Sequence, residues 1–166
     1  EVEVELMRQR LRYRTFGGLR FLQKSHIKDV LAYLKVVHNP EDEVSWRRIV
    51  TLQPGIGEAT FEMFWKQLKG FPDRLEAVIK GKVSPSRGTG NWAKLRETIA
   101  GLLATGQTIP GMIDTVLQKN YDYILEKNYP DQFEERRRGI ERLAAYGARF
   151  DSLGSFLESI SLDDSI

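Results

Sequence analysis

The sequence predicts an all-α fold, and three observations carry this prediction. Apolar residues recur at helical spacing along almost the whole chain of 166 residues. Proline, glycine and asparagine interrupt the pattern at short intervals and so set the expected helix ends. Only residues 13–16 (YRTF), which follow a possible short helix, have the composition of a strand. We therefore expect a helical subdomain with at most one short strand, near the N-terminus.

The first half of the chain predicts four helices after this strand. Ser25 has the residue type of an N-cap and should open the first of them, which ends before an Asn-Pro break. Asp73 should cap the last. Val44 is expected to point inward with Ile49 and Val50. The four helices are expected at about 25–37, 41–52, 58–68 and 73–80.

The second half predicts a loop followed by five helices. Residues 81–90 (GKVSPSRGTG) form the loop, which is the segment with the greatest expected mobility. Leu103 is expected to be buried in the next helix, and Pro110 suits the first turn of the one after it. Asp131 and Glu134 have the spacing of a capping box. The helices are expected at about 91–105, 110–117, 121–129, 131–150 and 153–160.

The composition describes a folded protein with little excess charge. Hydrophobic residues make up 41% and charged residues 29% of the chain, and the formal net charge is only +2. Any contact with nucleic acid should therefore be local and modest. The chain has no cysteine, which excludes disulfides, cysteine zinc sites and thiol catalysis. No segment predicts a membrane span, so we expect a cytoplasmic protein.

The sequence predicts no catalytic, cofactor or metal site in this chain. The Gly81-Lys82 pair is followed by Val83 and has no strand before it, so it does not form a phosphate-binding P-loop. Asp42 and Glu43 fit the acidic first turn of a helix. His26 and His38 have no third ligand spaced with them, and surface or capping positions are expected for both.

Tryptophan and arginine residues have structural interpretations. Trp46, Trp65 and Trp92 lie in helical patterns and are expected in the core. The run 136–138 (RRR) follows two glutamates, so pairing at helical spacing on a solvated face is expected.

The most informative segment is 50–60 (VTLQPGIGEAT), which predicts a tight turn between two helices. Gly55 and Gly57 leave backbone N–H groups accessible, and a helix starting near Glu58 adds the positive end of a helix dipole. Such a turn can hold a phosphate without reading a base. Ile56 is expected to pack inward. The candidate DNA-binding residues are Gly55, Ile56, Gly57 and Thr60 of the turn, with the basic residues Arg47, Arg48, Lys66 and Lys69 beside it.

Residues 13–60 carry a series of motifs in a fixed order. They are a Gly-Gly pair at 17–18, an aromatic residue at Phe21, HIKD at 26–29, AYLK at 32–35, NPED at 39–42, and a hairpin with RIV at 48–50, GIG at 55–57 and Thr60. This order resembles the UvrD/Rep/PcrA family of superfamily 1 DNA helicases. Residues 141–164 resemble the segment that leads out of the same helical insertion. The chain has Pro54 where the family often has an arginine, which places the expected phosphate contact on backbone N–H groups.

The resemblance implies an accessory, regulatory subdomain called 2B, which contacts duplex DNA through its Gly-Ile-Gly turn and rotates relative to the rest of the helicase. Residues 1–16 would be a remnant of the RecA-like domain 2A, 17–162 the 2B subdomain, and 163–166 the start of the return into 2A. The parent protein would be an ATP-dependent helicase of DNA repair or replication. Its ATP and Mg²⁺ would bind RecA-like domains outside this span, so this chain alone is not expected to be an enzyme.

Two alternatives from other classes remain open. One is a protein-interaction module, for example a docking site for a repair protein, which would present an exposed apolar patch away from the turn. The other is a free-standing helix-hairpin-helix protein of repair or recombination.

Overall fold

The structure, a computed structural model of the chain, describes residues 19–164 and the side chains of residues 21–162. Over this range the backbone forms helices and contains no strand, so the predicted all-α fold is confirmed there. The helices are α1 (Leu19–Gln23), α2 (Ser25–His38), α3 (Glu43–Thr51), α4 (Glu58–Leu68), α5 (Arg74–Ile79), α6 (Thr89–Leu102), α7 (Ile109–Val116), α8 (Asp122–Asn128), α9 (Phe133–Gly147) and α10 (Leu153–Asp164). The expected strand, the rest of residues 1–16, and residues 165 and 166 lie outside the described residues.

Helix α2 lies at the centre of the subdomain. It packs against α3, α6, α7, α9 and α10. Nine of its 14 residues are buried, including polar His26 and Asp29. A helix that is buried on nearly all sides carries apolar residues around its whole circumference, and "DVLAYLKVV" at 29–37 has this character. The helical spacing of Ile27, Val30, Leu31 and Leu34 predicts one apolar stripe, and these residues are buried but form only part of the buried surface of the helix.

The caps explain several helix starts. Asp42 accepts a hydrogen bond from the N–H of Ser45 at 3.1 Å, and Asp73 accepts one from Glu76 at 3.0 Å, so both acidic caps form. Thr108 caps α7 in the same way, one turn before the N–H of Gly111. Each of these side chains satisfies an N–H group that has no partner within its helix.

Two other predicted caps are wrong. Ser25 is the first residue of α2, and Lys24 occupies the N-cap position without a side-chain hydrogen bond. The expected capping box of α9 is absent, because a turn from Tyr129 to Gln132 precedes the helix and places Gln132 at the N-cap. The acidic pair predicted to open α9 therefore does not cap it.

Two predicted core residues are exposed. Val44 is 77% exposed because α3 begins at Glu43 and turns Ser45, Trp46, Ile49 and Val50 toward the core, leaving Val44 on the outer side of its first turn. Leu103 is 39% exposed because α6 ends one residue before it.

An unpredicted π-helical segment, Leu117–Tyr121, joins α7 to α8. It buries Leu117, Asn120 and Tyr121. A π-turn inserts one extra residue into a helix and shifts the direction of the side chains that follow. Here it brings Asn120 and Tyr121 toward α2 and the end of α3.

The three tryptophans lie in the core, as predicted, and Trp46 and Trp92 join α3 and α6 to α4. Phe64 of α4 packs edge-on against Trp46 of α3, with ring centres 6.3 Å apart, and against Trp92 of α6 at 5.0 Å. Such pairs add to the stabilisation from burial alone. This aromatic cluster fixes the two helices that flank the turn at 52–57.

None of the helices in the described part of the chain is long and apolar enough to cross a membrane.

Candidate nucleic-acid interface

The turn between α3 and α4 has a defined backbone geometry. The N–H of Gln53 donates to the carbonyl of Val50, and the N–H of Ile56 donates to the carbonyl of Gln53, both at 3.1 Å. Gly55 has a φ of +89°, a backbone conformation that residues other than glycine rarely adopt. Gly57 is extended, with φ of −103°, and forms the N-cap of α4. The two glycines therefore have different roles, and only Gly55 is required by the backbone conformation.

Ile56 anchors the turn from inside, as predicted. Its side chain is only 4% exposed and packs against Gly88, at the start of α6. A Cβ atom on Gly88 would lie 2.7 Å from Cγ1 of Ile56, so this approach requires glycine. Asn91 adds a hydrogen bond of 2.9 Å from its Nδ2 to the carbonyl oxygen of Pro54. The turn is thus fixed from the side of α6.

The segment 81–90, predicted as a loop, supports the turn. It is irregular up to Gly88, and α6 begins at Thr89. Val83 and Pro85 are buried, so the segment has apolar anchors of its own. The composition alone did not reveal that Gly88 contacts the Gly-Ile-Gly turn.

The outer side of the turn presents N–H groups that have no acceptor. Within residues 19–164, the N–H groups of Gly55 and of residues 57–60 form no hydrogen bond to protein. Those of residues 58–60 belong to the first turn of an 11-residue helix, where no intrahelical acceptor exists. They lie at the positive end of the helix dipole. The arrangement can accept an anion without any rearrangement of the backbone.

A buried amide pair holds the turn from the opposite side. Nε2 of Gln53 donates to Oδ1 of Asn120, and Nδ2 of Asn120 donates to Oε1 of Gln53, both at 3.0 Å. The Tyr33 hydroxyl donates to the same Oδ1 at 2.5 Å. Burial, followed by the charge of Asp29, raises the pKa of Tyr33, so its hydroxyl remains protonated. This cluster was not predicted from the sequence, because its members are separated by up to 87 residues.

Arg48 is partly exposed but pairs with a buried carboxylate. Its Nε donates to Oδ1 of Asp29 at 2.7 Å, and its NH2 to the carbonyl of Ser25 at 3.3 Å. The hydroxyl of Tyr121 donates to the other oxygen of Asp29 at 2.5 Å. Both oxygens of this buried carboxylate therefore have partners. Arg48 neutralises Asp29, and its charge is not available in full to a phosphate.

Arg47 lies among three carboxylates next to the turn. It pairs with Glu43 at 2.8 Å, with Glu62 at 2.7 Å, and with Glu58. Hydrogen bonds to Glu62 and Glu43 raise the pKa of Arg47 well above its usual range. Three carboxylates around one guanidinium leave this face of α3 and α4 with an excess of negative charge.

The remaining predicted residues lie along α4. Thr60 is half-buried in its first turn. Lys66 and Lys69 are exposed and have no ion pair within the described part of the chain. With a rise of about 1.5 Å per residue, they lie roughly 12 and 16 Å along the axis from Glu58. They can extend a contact made at the turn, but they do not surround it.

His26 is buried, contrary to prediction, and it contacts Arg136 of α9. Arg136 therefore does not pair with the preceding glutamates as expected. Arg137 forms ion pairs with Asp122 at 3.0 Å and with Glu141 at 3.1 Å. No group of three or more potential metal ligands occurs among the described residues.

The chain matches the family described as the UvrD-like helicase C-terminal domain over residues 1–143. It is 35% identical over 131 residues to the ATP-dependent DNA helicase UvrD1 of Mycobacterium tuberculosis, a match that covers 76% of this chain and 16% of that protein. It is 40% identical over 62 residues to the ATP-dependent DNA helicase PcrA of Bacillus subtilis, which covers 37% of this chain and 8% of PcrA.

A similar match is found with DNA helicase II of Escherichia coli, which is 36% identical over 63 residues. It covers 37% of this chain and 9% of that protein. The matched part of the chain thus spans less than a fifth of the length of each of these curated relatives.

Proposed function

This chain belongs to the UvrD-like helicase C-terminal domain family, and on that premise we propose that it forms the 2B subdomain of an ATP-dependent DNA helicase of the UvrD/PcrA type. In this proposal the subdomain is an accessory and regulatory element, and it contacts duplex DNA ahead of the site of unwinding. Residues 1–16 and 163–166 connect it to the RecA-like domain 2A. ATP and Mg²⁺ bind elsewhere in the parent protein, and the isolated chain performs no chemistry.

The observation that carries the DNA contact is the run of unpartnered N–H groups at Gly55 and residues 57–60. These groups lie on a turn that Ile56, Gln53 and Asn91 fix from the inside. A phosphate that replaces water at these donors gains charge-assisted hydrogen bonds. Because the turn is already ordered, little conformational entropy is lost on binding.

The contact is expected to be weak and independent of sequence. Gln53, the one polar side chain of the turn at 52–57, is buried and bonded to Asn120, so no side chain there can read a base edge. The carboxylates around Arg47 repel phosphate. For the whole chain, with every cation that reaches the duplex included, we expect a dissociation constant of about 10⁻⁴ to 10⁻⁶ M near physiological salt and a log–log salt slope of roughly −2 to −3, which corresponds to two or three neutralised phosphates. Duplex should bind more tightly than single strands, because the described aromatic residues lie largely in the core and form no stacking surface.

The alternative of a protein-interaction module has less support. The large apolar side chains that are exposed in the described region lie on five different segments, so no single helix presents a continuous apolar face. The five are Val44, Met63, Leu103, Tyr123 and Leu162.

The variant Gly57→Gln tests the role of the turn. A Cβ atom at Gly57 would meet nothing within 4 Å, and its backbone conformation suits any residue, so the fold should tolerate the change. The glutamine side chain would cover the N–H groups at the start of α4. Duplex affinity should fall about tenfold or more, while the thermal midpoint should fall by only about 2–4 °C, since glycine is a favoured N-cap and its replacement by glutamine costs about 1 kcal/mol.

The matched control is Ala145→Gln, an exposed small residue on α9. Both variants and the unmodified chain would be titrated with a labelled duplex by fluorescence anisotropy, and their melting would be followed by circular dichroism. Affinity that is unchanged in Gly57→Gln, with a midpoint lowered by no more than about 4 °C, would show that the turn is not the phosphate contact. Absence of duplex binding by the unmodified chain at low salt would favour the protein-docking alternative.

A further inference from the structure

A basic cleft lies between the start of α2 and one face of α9, and the proposed function does not use it. We define the basic cleft by Lys24, His26, Glu135, Arg136, Arg138 and Arg142, which line a cavity of about 620 Å³. Cavities of this size are typical of ligand sites. None of the eight residues predicted to contact DNA lines it.

The charge in the basic cleft is unbalanced. Four cationic side chains face a single carboxylate, Glu135, which gives a local excess of +3 in a chain whose total is +2. None of the four cations forms a salt bridge with any carboxylate of the described residues. Elsewhere in the described region Arg47, Arg48, Arg74 and Arg137 have acidic partners, whereas Arg87, Arg96 and Arg149 have none, so the cleft is distinguished by the grouping of its cations. Cations held close together without counter-charges favour the binding of an anion.

Two of the guanidinium groups are held in place. Arg136 lies over the ring of Tyr129, with its Cζ 3.7 Å from the ring centre, and its Nε donates to Oε1 of Gln132 at 2.9 Å. Arg142 lies over the ring of Phe21 at 4.8 Å. Contact with an aromatic face orients a guanidinium and leaves its edge available for hydrogen bonds. The donors are therefore partly pre-organised.

His26 contributes a further donor to the basic cleft. NH1 of Arg136 lies 3.0 Å from its Nδ1, and because an arginine can only donate, Nδ1 accepts and Nε2 carries the proton in the neutral ring. Although the residue is only 5% exposed, its Nε2–H has no acceptor among the described residues. The N–H groups of Ser25 and His26, at the uncapped start of the 14-residue α2, also have none. These unpartnered donors thus belong to residues that line the same cavity.

We propose that the basic cleft binds phosphate groups of a nucleic-acid strand, as a second contact separate from the turn at 55–60. This inference rests on the proposed function insofar as DNA is the ligand of the subdomain. Positions 136 to 142 span roughly 9 Å of helix axis, enough for two or three successive phosphates of one strand, which are about 3.4 Å apart along a duplex axis. The forked guanidinium groups match the geometry of phosphate oxygens.

The test compares two double variants that remove equal charge. Arg138→Gln/Arg142→Gln removes two exposed cations of the basic cleft, and Lys35→Gln/Arg149→Gln removes two exposed cations outside it. In anisotropy titrations with a labelled duplex, the cleft variant should reduce the log–log salt slope by about 1.8, at about 0.9 per phosphate. If the unmodified chain and the cleft variant bind equally at 1 M salt, this difference in slope corresponds to about 60-fold weaker binding by the cleft variant at 0.1 M. The control variant should change the slope by much less.

The second measurement uses nuclear magnetic resonance of the unmodified chain. Addition of the duplex should shift the ring resonances of His26 and the amide of Gly139, which lies next to that ring. Shifts at Gly55 and Gly57 alone, with equal salt slopes for the two double variants, would overturn the cleft and leave the proposed turn contact intact. Shifts at His26 alone would support the cleft and contradict the turn contact.

Two further ligands identify the source of the anion. An oligoglutamate of the same charge that shifts His26 at lower concentration than DNA would show that the basic cleft binds an acidic polypeptide and would overturn the assignment to nucleic acid. If inorganic phosphate saturated the site at the same phosphate concentration as DNA, the basic cleft would be a site for the free ion, and the assignment to nucleic acid would again be overturned. Tighter binding of DNA than of both supports the proposal.

Discussion

Asn120→Leu should be among the most destabilising single substitutions outside the apolar core. Asn120 makes three buried hydrogen bonds, one from Tyr33 and a reciprocal pair with Gln53. Leucine is similar in size but cannot replace any of them. Nε2 of Gln53 keeps its bond of 2.9 Å to the carbonyl of Ile49. The change therefore leaves two groups without a partner, the hydroxyl of Tyr33 and Oε1 of Gln53, on residues that are 0% and 1% exposed.

The expected loss of stability follows from these two groups. An unsatisfied buried donor or acceptor costs about 1–3 kcal/mol, so the variant should lose roughly 4 kcal/mol of unfolding free energy. With an m-value of about 2 kcal/mol per molar urea, the midpoint of urea unfolding should fall by about 2 M. The Ile56 amide, which donates to the carbonyl of Gln53, should also exchange faster with deuterium, because Gln53 loses its anchor.

A second substitution separates the hydrogen bonds from simple packing. Tyr33→Phe should cost about 1–2 kcal/mol in the unmodified chain, but in Asn120→Leu it should restore about that amount, because it removes an unsatisfied hydroxyl. Gln118→Leu, at an exposed position of the same π-helical segment, should change the stability by no more than about 0.5 kcal/mol. If Tyr33→Phe destabilised both backgrounds equally, the hydrogen-bond network would not be the cause.

Three further outcomes follow from the structure. Gly88→Ala should reduce the unfolding free energy measured in urea by about 2–3 kcal/mol, because the residue has a φ of +69° and the added Cβ would lie 2.7 Å from Cγ1 of Ile56. Gly90→Ala, where the added Cβ meets open space, should be nearly neutral. Burial, followed by the charges of Arg136 and Lys24, lowers the pKa of His26 to about 4, so on acidification the unfolded chain binds this proton before the folded chain does. From pH 7 to pH 5 the unmodified chain should therefore lose about 1–2 kcal/mol more unfolding free energy than His26→Gln. Equal losses in the two proteins would contradict this. The purified chain should release no phosphate from ATP above a mock preparation, with or without DNA.

The sequence predicted local features well, because they depend on neighbouring residues. Pro54, Gly55 and Gly57 sufficed to place the turn, and α4 has the predicted bounds. The errors in the fold have local causes too. Val44 is apolar, so its type alone favoured a core position. The predicted start of α3, at about residue 41, lies two residues before the observed start at Glu43, and neither start shows that Val44 lies opposite the buried face. The π-helical segment was not predicted, since the sequence pattern separates two helices at 118–120, where the structure joins them.

The environment of the candidate site could not be predicted from spacing alone. Arg47 is adjacent to the turn in sequence, but its carboxylate partners Glu58 and Glu62 come from the next helix. Arg48 pairs with Asp29, 19 residues away. A run such as RRR at 136–138 also gives no indication of which side chain pairs with an acid and which faces a cavity. These outcomes depend on how the helices pack, and the sequence pattern specifies only their faces.

The distribution of charge determines how the two proposed contacts should respond to salt. Neutral N–H groups at Gly55 and residues 57–60 supply about half an elementary charge through the helix dipole, so they release few counterions from DNA. The four unpaired cations of the basic cleft neutralise whole charges and release more. Gly57→Gln should therefore weaken binding by a similar factor at every salt concentration. The loss caused by Arg138→Gln/Arg142→Gln should instead disappear toward 1 M salt. Parallel salt dependences for the two variants would contradict this division, because they would place the turn and the cleft in a single electrostatic contact.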